Sequence, residues 1–334
     1  MTTSKRFTGS VSVPFALMLL SWASFQMWKD PSPHIVQFVE VESGVRVEVL
    51  DWRGSGEAVL LLAGHGDTAH IFDDFAPHLA DDFHVSALTR RGFGASGQPE
   101  QGYELARLVK DIAQVLEAMD LKRVHLVGHS IAGDEMTRFA RMNPDRVGKM
   151  VYLEAAYDRV QARQLEATFP KLPSPPEPTT SELASPAGMR AFVARTVIRM
   201  PESEIRATRI FHPDGRFLRQ VTPDRILAAV AGTVEHSNYE SIRAPMLAIY
   251  AVPSTPVQLI PRYKGRYEAG DEETRRVLDR IFDMWKPAAK AQRDQFRRAV
   301  PHARVVELHG ASHYIFISHQ EQVLREVKAF LRTR

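Results

Sequence analysis

The hydrophobic positions of the chain form short apolar segments that alternate with longer amphipathic ones. Alternation of apolar and polar residues over 35–42 and 45–52 predicts an antiparallel hairpin. Helical stretches such as 105–119 separate the apolar runs that follow. These runs predict six further strands, near 58–63, 83–88, 123–128, 149–154, 245–251 and 304–309. The pattern indicates an α/β protein with a mainly parallel, doubly wound sheet.

Residues 157–243 interrupt this alternation, because they show no strand pattern. The segment contains a proline-rich stretch, 170–178, and helical runs around 189–200 and 222–234. A disordered linker is the alternative, but both helical runs carry an apolar face. We therefore predict that 157–243 is a folded cap inserted into a core domain formed by 33–156 and 244–334.

The first 28 residues have a composition of their own. Lys5 and Arg6 precede a largely apolar stretch, 11–28, which Lys29-Asp30-Pro31 ends, and this is the layout of a secretory signal peptide. Proline and serine interrupt the apolar stretch, so it is marginal for a spanning helix of about 20 apolar residues. We expect an exported protein, periplasmic or secreted. An uncleaved membrane anchor and a buried N-terminal helix are the alternatives.

Composition narrows the classes of function. A chain of 334 residues with 44% hydrophobic content can bury a large core. The formal net charge is only +3, and no basic stripe is interleaved with aromatic residues, so we expect no nucleic-acid partner. Cysteine is absent, which excludes disulfides, thiolate metal sites and a cysteine nucleophile. The 13 histidines show no His-Glu-x-x-His spacing, so we expect neither a metal nor another cofactor.

The most specific signal is the segment 124–133, Val-His-Leu-Val-Gly-His-Ser-Ile-Ala-Gly. An apolar strand runs into Gly128-His129-Ser130 and continues directly as a helical pattern, as in a nucleophile elbow. Small residues at Ala132 and Gly133 allow the helix to pack close to the strand. Ser130 would then project from a sharp turn beside a helix N-terminus, although an ordinary capping serine is the alternative. The His129 side chain should point away from Ser130 and pack.

Two further segments follow the same plan of a strand and a small-residue loop. Residues 58–67 form an apolar run that ends in Gly64-His65-Gly66-Asp67, and 304–313 form a strand that ends in a loop carrying His313. Together with the elbow they supply oxyanion donors, nucleophile and base in chain order, each at the C-terminal end of a predicted strand. The ring of His65 could also reach the substrate, whereas His319 reads as the start of the final helix.

One further motif, Arg91-Gly92-Phe93-Gly94-Ala95-Ser96, is similar to an Arg-Gly-x-Gly-x-Ser loop. With this loop and the motifs above, residues 33–334 resemble the α/β-hydrolase superfamily. The resemblance implies the α/β-hydrolase fold with an inserted helical cap, Ser130 as nucleophile and His313 as base. It places the oxyanion hole at the backbone N–H groups of His65 and Ile131. The chain departs from the family pattern at Thr89, where aspartate is usual, at Ala63-Gly64, where many members have His-Gly, and at Ala132, where glycine is usual.

The acid of the triad does not occupy its usual position. In many relatives it follows the seventh strand, but 246–255 contains no carboxylate, and the next one is Glu268. Some members, haloalkane dehalogenases among them, place the acid at the end of the sixth strand, where this chain has Glu154. We predict Glu154 as the acid. Asp158 is the alternative acid, or it caps the first helix of the insertion.

These residues predict a serine hydrolase that cleaves a carboxylic ester of a small molecule through an acyl-enzyme. Amide, lactone and thioester bonds are alternatives within the same chemistry. A serine at position 130 argues against dehalogenase or epoxide-hydrolase chemistry, for which the resembling families use aspartate. Two other classes stay open: a non-catalytic small-molecule-binding protein on this fold, and a cofactor-free enzyme that acts on peroxide or oxygen.

Overall fold

The computed structural model describes residues 28–333. The predicted signal peptide or anchor, residues 1–28, therefore lies outside the described residues except for Trp28, and export or anchoring stays a prediction. Among the described residues, no helix is both long and apolar enough to cross a membrane. From Ser32 onward the chain forms one compact unit, which includes the predicted insertion 157–243.

Ten strands and thirteen α-helices follow one another along the described chain. The strands are β1 Ile35–Glu42, β2 Val45–Arg53, β3 Ala58–Leu62, β4 His84–Leu88, β5 Val124–His129, β6 Val147–Leu153, β7 Arg209–Phe211, β8 Phe217–Gln220, β9 Met246–Val252 and β10 Arg304–His309. The helices are α1 Ala76–Ala80, α2 Leu105–Ala118, α3 Ala132–Met142, α4 Arg159–Glu166, α5 Thr180–Leu183, α6 Pro186–Thr196, α7 Glu202–Thr208, α8 Asp224–Gly232, α9 Pro256–Leu259, α10 Lys264–Glu268, α11 Glu272–Ala299, α12 Ile315–Ser318 and α13 Gln320–Arg332. Short 3-10 turns lie at Ala69–Phe72, Pro144–Arg146 and Pro261–Tyr263.

Eight strands form one sheet in the order β1-β2-β4-β3-β5-β6-β9-β10. The predicted hairpin β1–β2 is antiparallel, β2 also pairs antiparallel with β4, and the remaining pairs are parallel. The parallel strands β5 and β6 pair so that His129 lies opposite Leu153. The residues that follow them, Ser130 and Glu154, therefore leave the sheet side by side at its C-terminal edge. The predicted mainly parallel, doubly wound α/β architecture is confirmed.

Two apolar layers cover the two faces of this sheet. One layer joins Leu61, Val151 and Ile249 to Phe72, Phe316 and the final helix α13. The other joins alternate residues of the same strands to α2, α3 and Phe296 of α11. Burial on both faces explains why these strands read as continuous apolar runs. Burial also fixes the strand register, because a slip by one residue would exchange the two faces.

The insertion differs from its prediction in one respect. It contains the expected helices, with α6 and α8 covering much of the predicted helical runs, but it also contains a two-stranded antiparallel sheet of β7 and β8. The prediction that 157–243 has no strands was therefore wrong. The strands have only 3 and 4 residues and no fully buried position, so they give no alternating pattern to read.

Thr89, at the position after β4 where the family pattern has aspartate, makes three buried hydrogen bonds. Its hydroxyl donates to Glu48 and accepts the N–H of Ala69, and its carbonyl accepts from the Ser96 hydroxyl. These bonds hold the loop that follows β4 against β2 and the turn after β3. The neighbouring Arg90 and Arg91 are also buried.

Candidate active site

Ser130 lies in a strained turn between β5 and α3. Its φ is +56°, a left-handed conformation that is uncommon outside glycine. Its N–H donates to the Leu153 carbonyl at 3.2 Å and its carbonyl accepts from Gly133 at 3.0 Å, so the turn is held from both sides. A Cβ on Gly133 would overlap the Ala155 carbonyl oxygen. Gly133 thus lets α3 approach the residues that follow β6. The close packing of α3 on the strand that delivers Ser130 is seen at Gly128, where a Cβ would overlap the Met136 side chain.

Glu154 leaves the adjacent strand in the same unusual conformation. Its φ is +52°, and its side chain is only 7% exposed. One carboxylate oxygen accepts from the Tyr157 hydroxyl at 2.8 Å and from the Ala251 N–H at 2.7 Å. The other lies 3.2 Å from Nδ1 of His313. The buried carboxylate is thus provided with hydrogen-bond donors on both oxygens, as a buried charge requires.

His313 links the other two predicted triad residues. It lies in the loop between β10 and α12, where Nε2 is 2.9 Å from the Ser130 hydroxyl oxygen. When Nδ1 donates to Glu154, Nε2 is left to accept the serine proton. The structure therefore brings Ser130, His313 and Glu154 into one hydrogen-bonded chain, in a geometry that suits proton transfer from serine to imidazole.

Asp158, the alternative acid, has other partners. It caps α4, with one oxygen accepting from the Gln161 N–H at 3.1 Å and the other 2.9 Å from Nδ1 of His236. These contacts match the capping role that the sequence offered as the second possibility for Asp158. Of the two candidate acids, Glu154 is the one that contacts His313.

His129 packs beneath the site, in the manner expected from the elbow. Its ring lies 4.7 Å from that of His313, and its Nε2 donates to the His313 carbonyl at 3.1 Å. Burial, followed by the charge of His313, holds the pKa of His129 well below its usual range, so the ring is neutral near neutral pH. His129 therefore fixes the backbone of the loop that carries His313. His319 begins the final helix, as predicted.

The loop after β3 is oriented by an arginine that the sequence did not single out. Arg90 donates to the carbonyls of Ala63 and Gly64 at 3.0 and 3.2 Å, and its Nε donates to Glu135 of α3 at 2.7 Å. The Gly64 carbonyl and the His65 N–H belong to one trans peptide, in which they point in opposite directions. Arg90 therefore turns the His65 N–H away from itself and couples the loop to the helix that follows Ser130.

The ring of His65 is held by the insertion. Its Nε2 donates to the Leu227 carbonyl of α8 at 2.9 Å. Burial lowers the pKa of His65, and the charges of Arg90, Arg159 and Arg163 lower it further. The imidazole is therefore neutral near neutral pH and engaged by α8. Its backbone N–H, like that of Ile131 at the start of α3, stays the predicted oxyanion donor.

A second arginine, also absent from the sequence prediction, reaches Ser130. Arg159 is the first residue of α4, and its Nη2 lies 3.5 Å from the Ser130 hydroxyl oxygen. Beside it is a cavity of about 220 Å³ bounded by Glu154, His313 and side chains of the insertion and α11. The sequence signal that could have identified Arg159 is an arginine at the start of a helix directly after the sixth strand. Such an arginine is also typical of an ordinary surface position.

One other cluster of potential ligand atoms lies outside this chain of contacts. His34 and His70 place Nδ1 at 2.9 and 3.1 Å from the two oxygens of Asp73, which also accepts from Ser203. Imidazoles and a carboxylate can bind a metal ion, but the same distances suit hydrogen bonds. The expectation of no metal stays a prediction.

Comparison with known proteins supports the fold. Residues 57–185 match the sequence model of the alpha/beta hydrolase fold family. A non-heme chloroperoxidase of Streptomyces lividans is 32% identical over 126 residues, which are 35% of this chain and 44% of the relative. A 2-(acetamidomethylene)succinate hydrolase of Mesorhizobium japonicum is 33% identical over 123 residues, 34% of this chain and 44% of the relative. The chain thus spans less than half the length of these curated relatives.

The likeness to solved structures extends over most of the chain. The crystal structure of E-2-(acetamidomethylene)succinate hydrolase superposes with a TM-score of 0.66 at 20% identity, covering 90% of this chain and 100% of that one. At this identity the superposition speaks for the fold alone. The strand order, the strand-turn-helix at Ser130 and the family match agree with one another. The chain has the α/β-hydrolase fold, and the part of it that residues 57–185 form matches the sequence model of that fold family.

Proposed function

We propose that this protein is a serine hydrolase that cleaves a carboxylic ester of a small molecule. The observation that carries the proposal is the continuous hydrogen-bonded chain from Ser130 through His313 to the buried Glu154. A binding protein has no need of such a hydrogen-bonded chain. Nor does it need the positive φ angles at which two of its members, Ser130 and Glu154, are held. The family match is consistent with hydrolysis.

In the proposed reaction His313 removes the proton of Ser130 as the serine oxygen attacks the ester carbonyl carbon. The imidazolium that forms is stabilised by Glu154, which Tyr157 and Ala251 hold in place. The alkoxide leaves with a proton from His313. Water, activated by the same imidazole, then hydrolyses the acyl-enzyme and restores Ser130.

The developing oxyanion is assigned to the N–H groups of His65 and Ile131. Arg90 supports this assignment, because its bond to the Gly64 carbonyl fixes the direction of the His65 N–H, which belongs to the same peptide. Such a donor contributes most when it is already oriented before the charge develops. Arg90 is therefore proposed as a positioning residue, since its guanidinium acts through the backbone of the loop.

Other bonds and one other chemistry compete with ester hydrolysis. The 2-(acetamidomethylene)succinate hydrolase relative carries the name of a hydrolase, and the Streptomyces lividans relative is named a non-heme chloroperoxidase. The second name makes cofactor-free peroxide chemistry the alternative function. An assay for peroxide-dependent halogenation, run beside the ester assay on the same preparation, separates the two.

A covalent probe tests the nucleophile directly. A fluorophosphonate should label the folded protein, and mass spectrometry should place the adduct on Ser130. A panel of p-nitrophenyl esters of increasing acyl length should reveal turnover. A folded protein with neither labelling nor turnover would remove the proposal.

Loss of the nucleophile has the largest expected effect on the rate. Ser130→Ala and His313→Ala should each lower kcat by about 10⁴- to 10⁶-fold, because the remaining oxyanion donors and binding contacts supply little of the catalysis. The exposed Ser55 and His302 provide matched controls, and their alanine variants should retain parent activity. Turnover by Ser130→Ala within about tenfold of the parent would contradict the assignment, since a lost nucleophile costs far more than that.

A further inference from the structure

Arg159 places a positive charge beside the proposed nucleophile. Its side chain is 22% exposed, and its Nη2 lies 3.5 Å from the Ser130 hydroxyl oxygen. A distance of 3.5 Å is long for a hydrogen bond, so the serine does little to satisfy the guanidinium. The group is therefore open to a better partner at the point where the acyl group of a substrate would lie.

The counter-ion of Arg159 satisfies it poorly. Asp134, in the first turn of α3, approaches Nε of Arg159 to 3.5 Å through Oδ2. Both of these buried atoms lack a hydrogen-bond partner. Burial raises the pKa of Asp134 to about 7, although Arg159 acts in the opposite direction. Near neutral pH the carboxyl is thus only partly ionised, and much of the charge on Arg159 is not neutralised.

The neighbouring groups leave one side of Arg159 positive. Arg163 follows one turn later on α4, is exposed, and adds its charge to that of Arg159 at the His65 ring, which is itself neutral. The negative groups on the cavity side are Glu154, which His313 and Tyr157 occupy, and Glu166. Between Arg159 and Glu166 the cavity wall is apolar, with Leu165, Phe169 and Trp285 among its residues.

We propose that Arg159 is an anion subsite and that the substrate is an ester whose acyl part carries one carboxylate near the scissile carbonyl. The planar guanidinium fork matches a carboxylate in two-point geometry. The carboxylate replaces Asp134 as the partner of Arg159, and the apolar wall contacts the hydrocarbon part. A second carboxylate would meet Glu166, so the site favours a monoanion. That the bound ester is a substrate rests on the proposed hydrolase function, whereas the anion subsite at Arg159 does not depend on it.

A pair of esters that differ only in charge tests the subsite. The parent protein should hydrolyse p-nitrophenyl hemisuccinate with a higher kcat/KM than p-nitrophenyl methyl succinate, its neutral methyl ester, after correction for spontaneous hydrolysis. Arg159→Gln should lower kcat/KM for the hemisuccinate by about 10- to 100-fold, the range for a lost charge-assisted hydrogen bond. The neutral ester should change by no more than about threefold. Arg159→Lys, which keeps the charge without the fork, should fall between the parent and Arg159→Gln.

Arg195 offers a matched control, because it is an arginine of the insertion that pairs with Glu182. Arg195→Gln should leave the ratio between the two esters unchanged. Equal losses on both esters in Arg159→Gln, in a variant with the parent's melting temperature, would overturn the proposal and assign Arg159 to the nucleophile or to packing. Turnover of both esters by the parent without preference for the anion would overturn it as well, while leaving the hydrolase function intact.

Binding without chemistry separates the subsite from the reaction. Levulinate carries a ketone in the place of the ester and a carboxylate two methylene groups away, and 2-hexanone is its neutral counterpart. Ligand-observed NMR should detect levulinate on the parent and on Ser130→Ala, with weaker binding of 2-hexanone, and Arg159→Gln should lose the difference. This result would support the subsite even if no ester were turned over. Equal binding of levulinate to the parent and Arg159→Gln would overturn it.

Discussion

Two buried carboxylates are linked to Ser130 through a basic side chain, Glu154 through His313 and Asp134 through Arg159. Donors on both oxygens surround Glu154, whereas Asp134 has an ion pair at 3.5 Å and an oxygen without a hydrogen-bond partner. Taken as whole residues, Glu154 and Asp134 are almost equally removed from solvent, at 5% and 6% exposure. The two carboxylates are thus buried alike but are provided with different numbers of hydrogen-bond donors. Burial raises the pKa of Asp134, whose Oδ2 has no hydrogen-bond donor, so this carboxyl is protonated more readily than a solvated one.

Glu154→Gln gives the largest effect that separates the two carboxylates. The amide keeps the shape of the side chain but removes the charge that stabilises the imidazolium, so kcat should fall about 10²- to 10⁴-fold with little change in KM. Asp158→Asn, which alters a helix cap, should be mild in the same assay. Near-parent kcat in Glu154→Gln together with a collapse in Asp158→Asn would reverse the assignment of the acid.

Tyr157→Phe tests whether the donors around Glu154 matter one by one. Burial, followed by the neighbouring Glu154 charge, raises the pKa of Tyr157 well above its usual range, so the hydroxyl keeps its proton and donates. Loss of this hydrogen bond should lower kcat about threefold to tenfold, less than the full cost of a bond to a charged group, because the Ala251 N–H still donates to the same oxygen. Tyr103→Phe is the control, because Tyr103 donates to the Pro99 carbonyl instead. Comparable losses in both variants would point to general destabilisation.

Asp134→Asn should have the smallest effect on a neutral ester and a distinct effect on pH dependence. As pH rises through about 7, Asp134 ionises, pairs with Arg159 and competes with a bound carboxylate. The inhibition constant of levulinate, measured against a neutral ester, should therefore rise about threefold to tenfold between pH 6 and 8 in the parent and less in Asp134→Asn. Identical pH profiles would show that Asp134 does not compete. The titratable and charged groups that face Asp134 are Arg159, Glu135, Asp158, Glu235, Tyr152 and Tyr239.

Any other group that titrates between pH 6 and 8 is common to the parent and the variant. The difference between the two profiles therefore reports Asp134. The same difference should appear in stability. The pKa of Asp134 is raised to about 7 on folding, so between pH 4 and 7 the unfolded state ionises this carboxyl more readily than the native state does. The free energy of unfolding should therefore fall as pH rises from about 4 to 7 in the parent, and Asp134→Asn should remove this pH dependence.

The sheet and the edge that carries Ser130, Glu154 and His313 could be predicted from the sequence because their signals are local. A strand buried on both faces, such as β3, reads as a continuous apolar run. A turn that needs small residues, as at Gly133, restricts the choice of residue at that position. Glu154 was identified by the absence of a carboxylate after the strand that the structure shows to be β9, and its position at the end of β6 agrees with that reasoning.

The contacts of Arg159, Arg90 and Asp134 could not be predicted, because they join residues that are distant along the chain. Arg90 lies near the elbow only once β3, β4 and α3 have assembled, and nothing at position 90 itself indicates Glu135 as a partner. Helix α11 and the short strands β7 and β8 could not be predicted either. The 28 residues of α11 are polar along most of their length, and β7 and β8 are too short to show a pattern. Burial created by tertiary packing overrides such local patterns.

The left-handed backbone at Ser130 also limits what an engineer can place there. A β-branched side chain is a severe outlier at φ +56°, so the substitution Ser130→Thr would have to rebuild the turn before the new hydroxyl could be used. Cysteine and aspartate lack that branch, and aspartate is among the residues that enter this conformation most readily. The backbone at position 130 therefore permits a thiol or carboxylate side chain. It excludes the secondary alcohol of threonine, and the reason is the main-chain conformation rather than the reactivity of the hydroxyl.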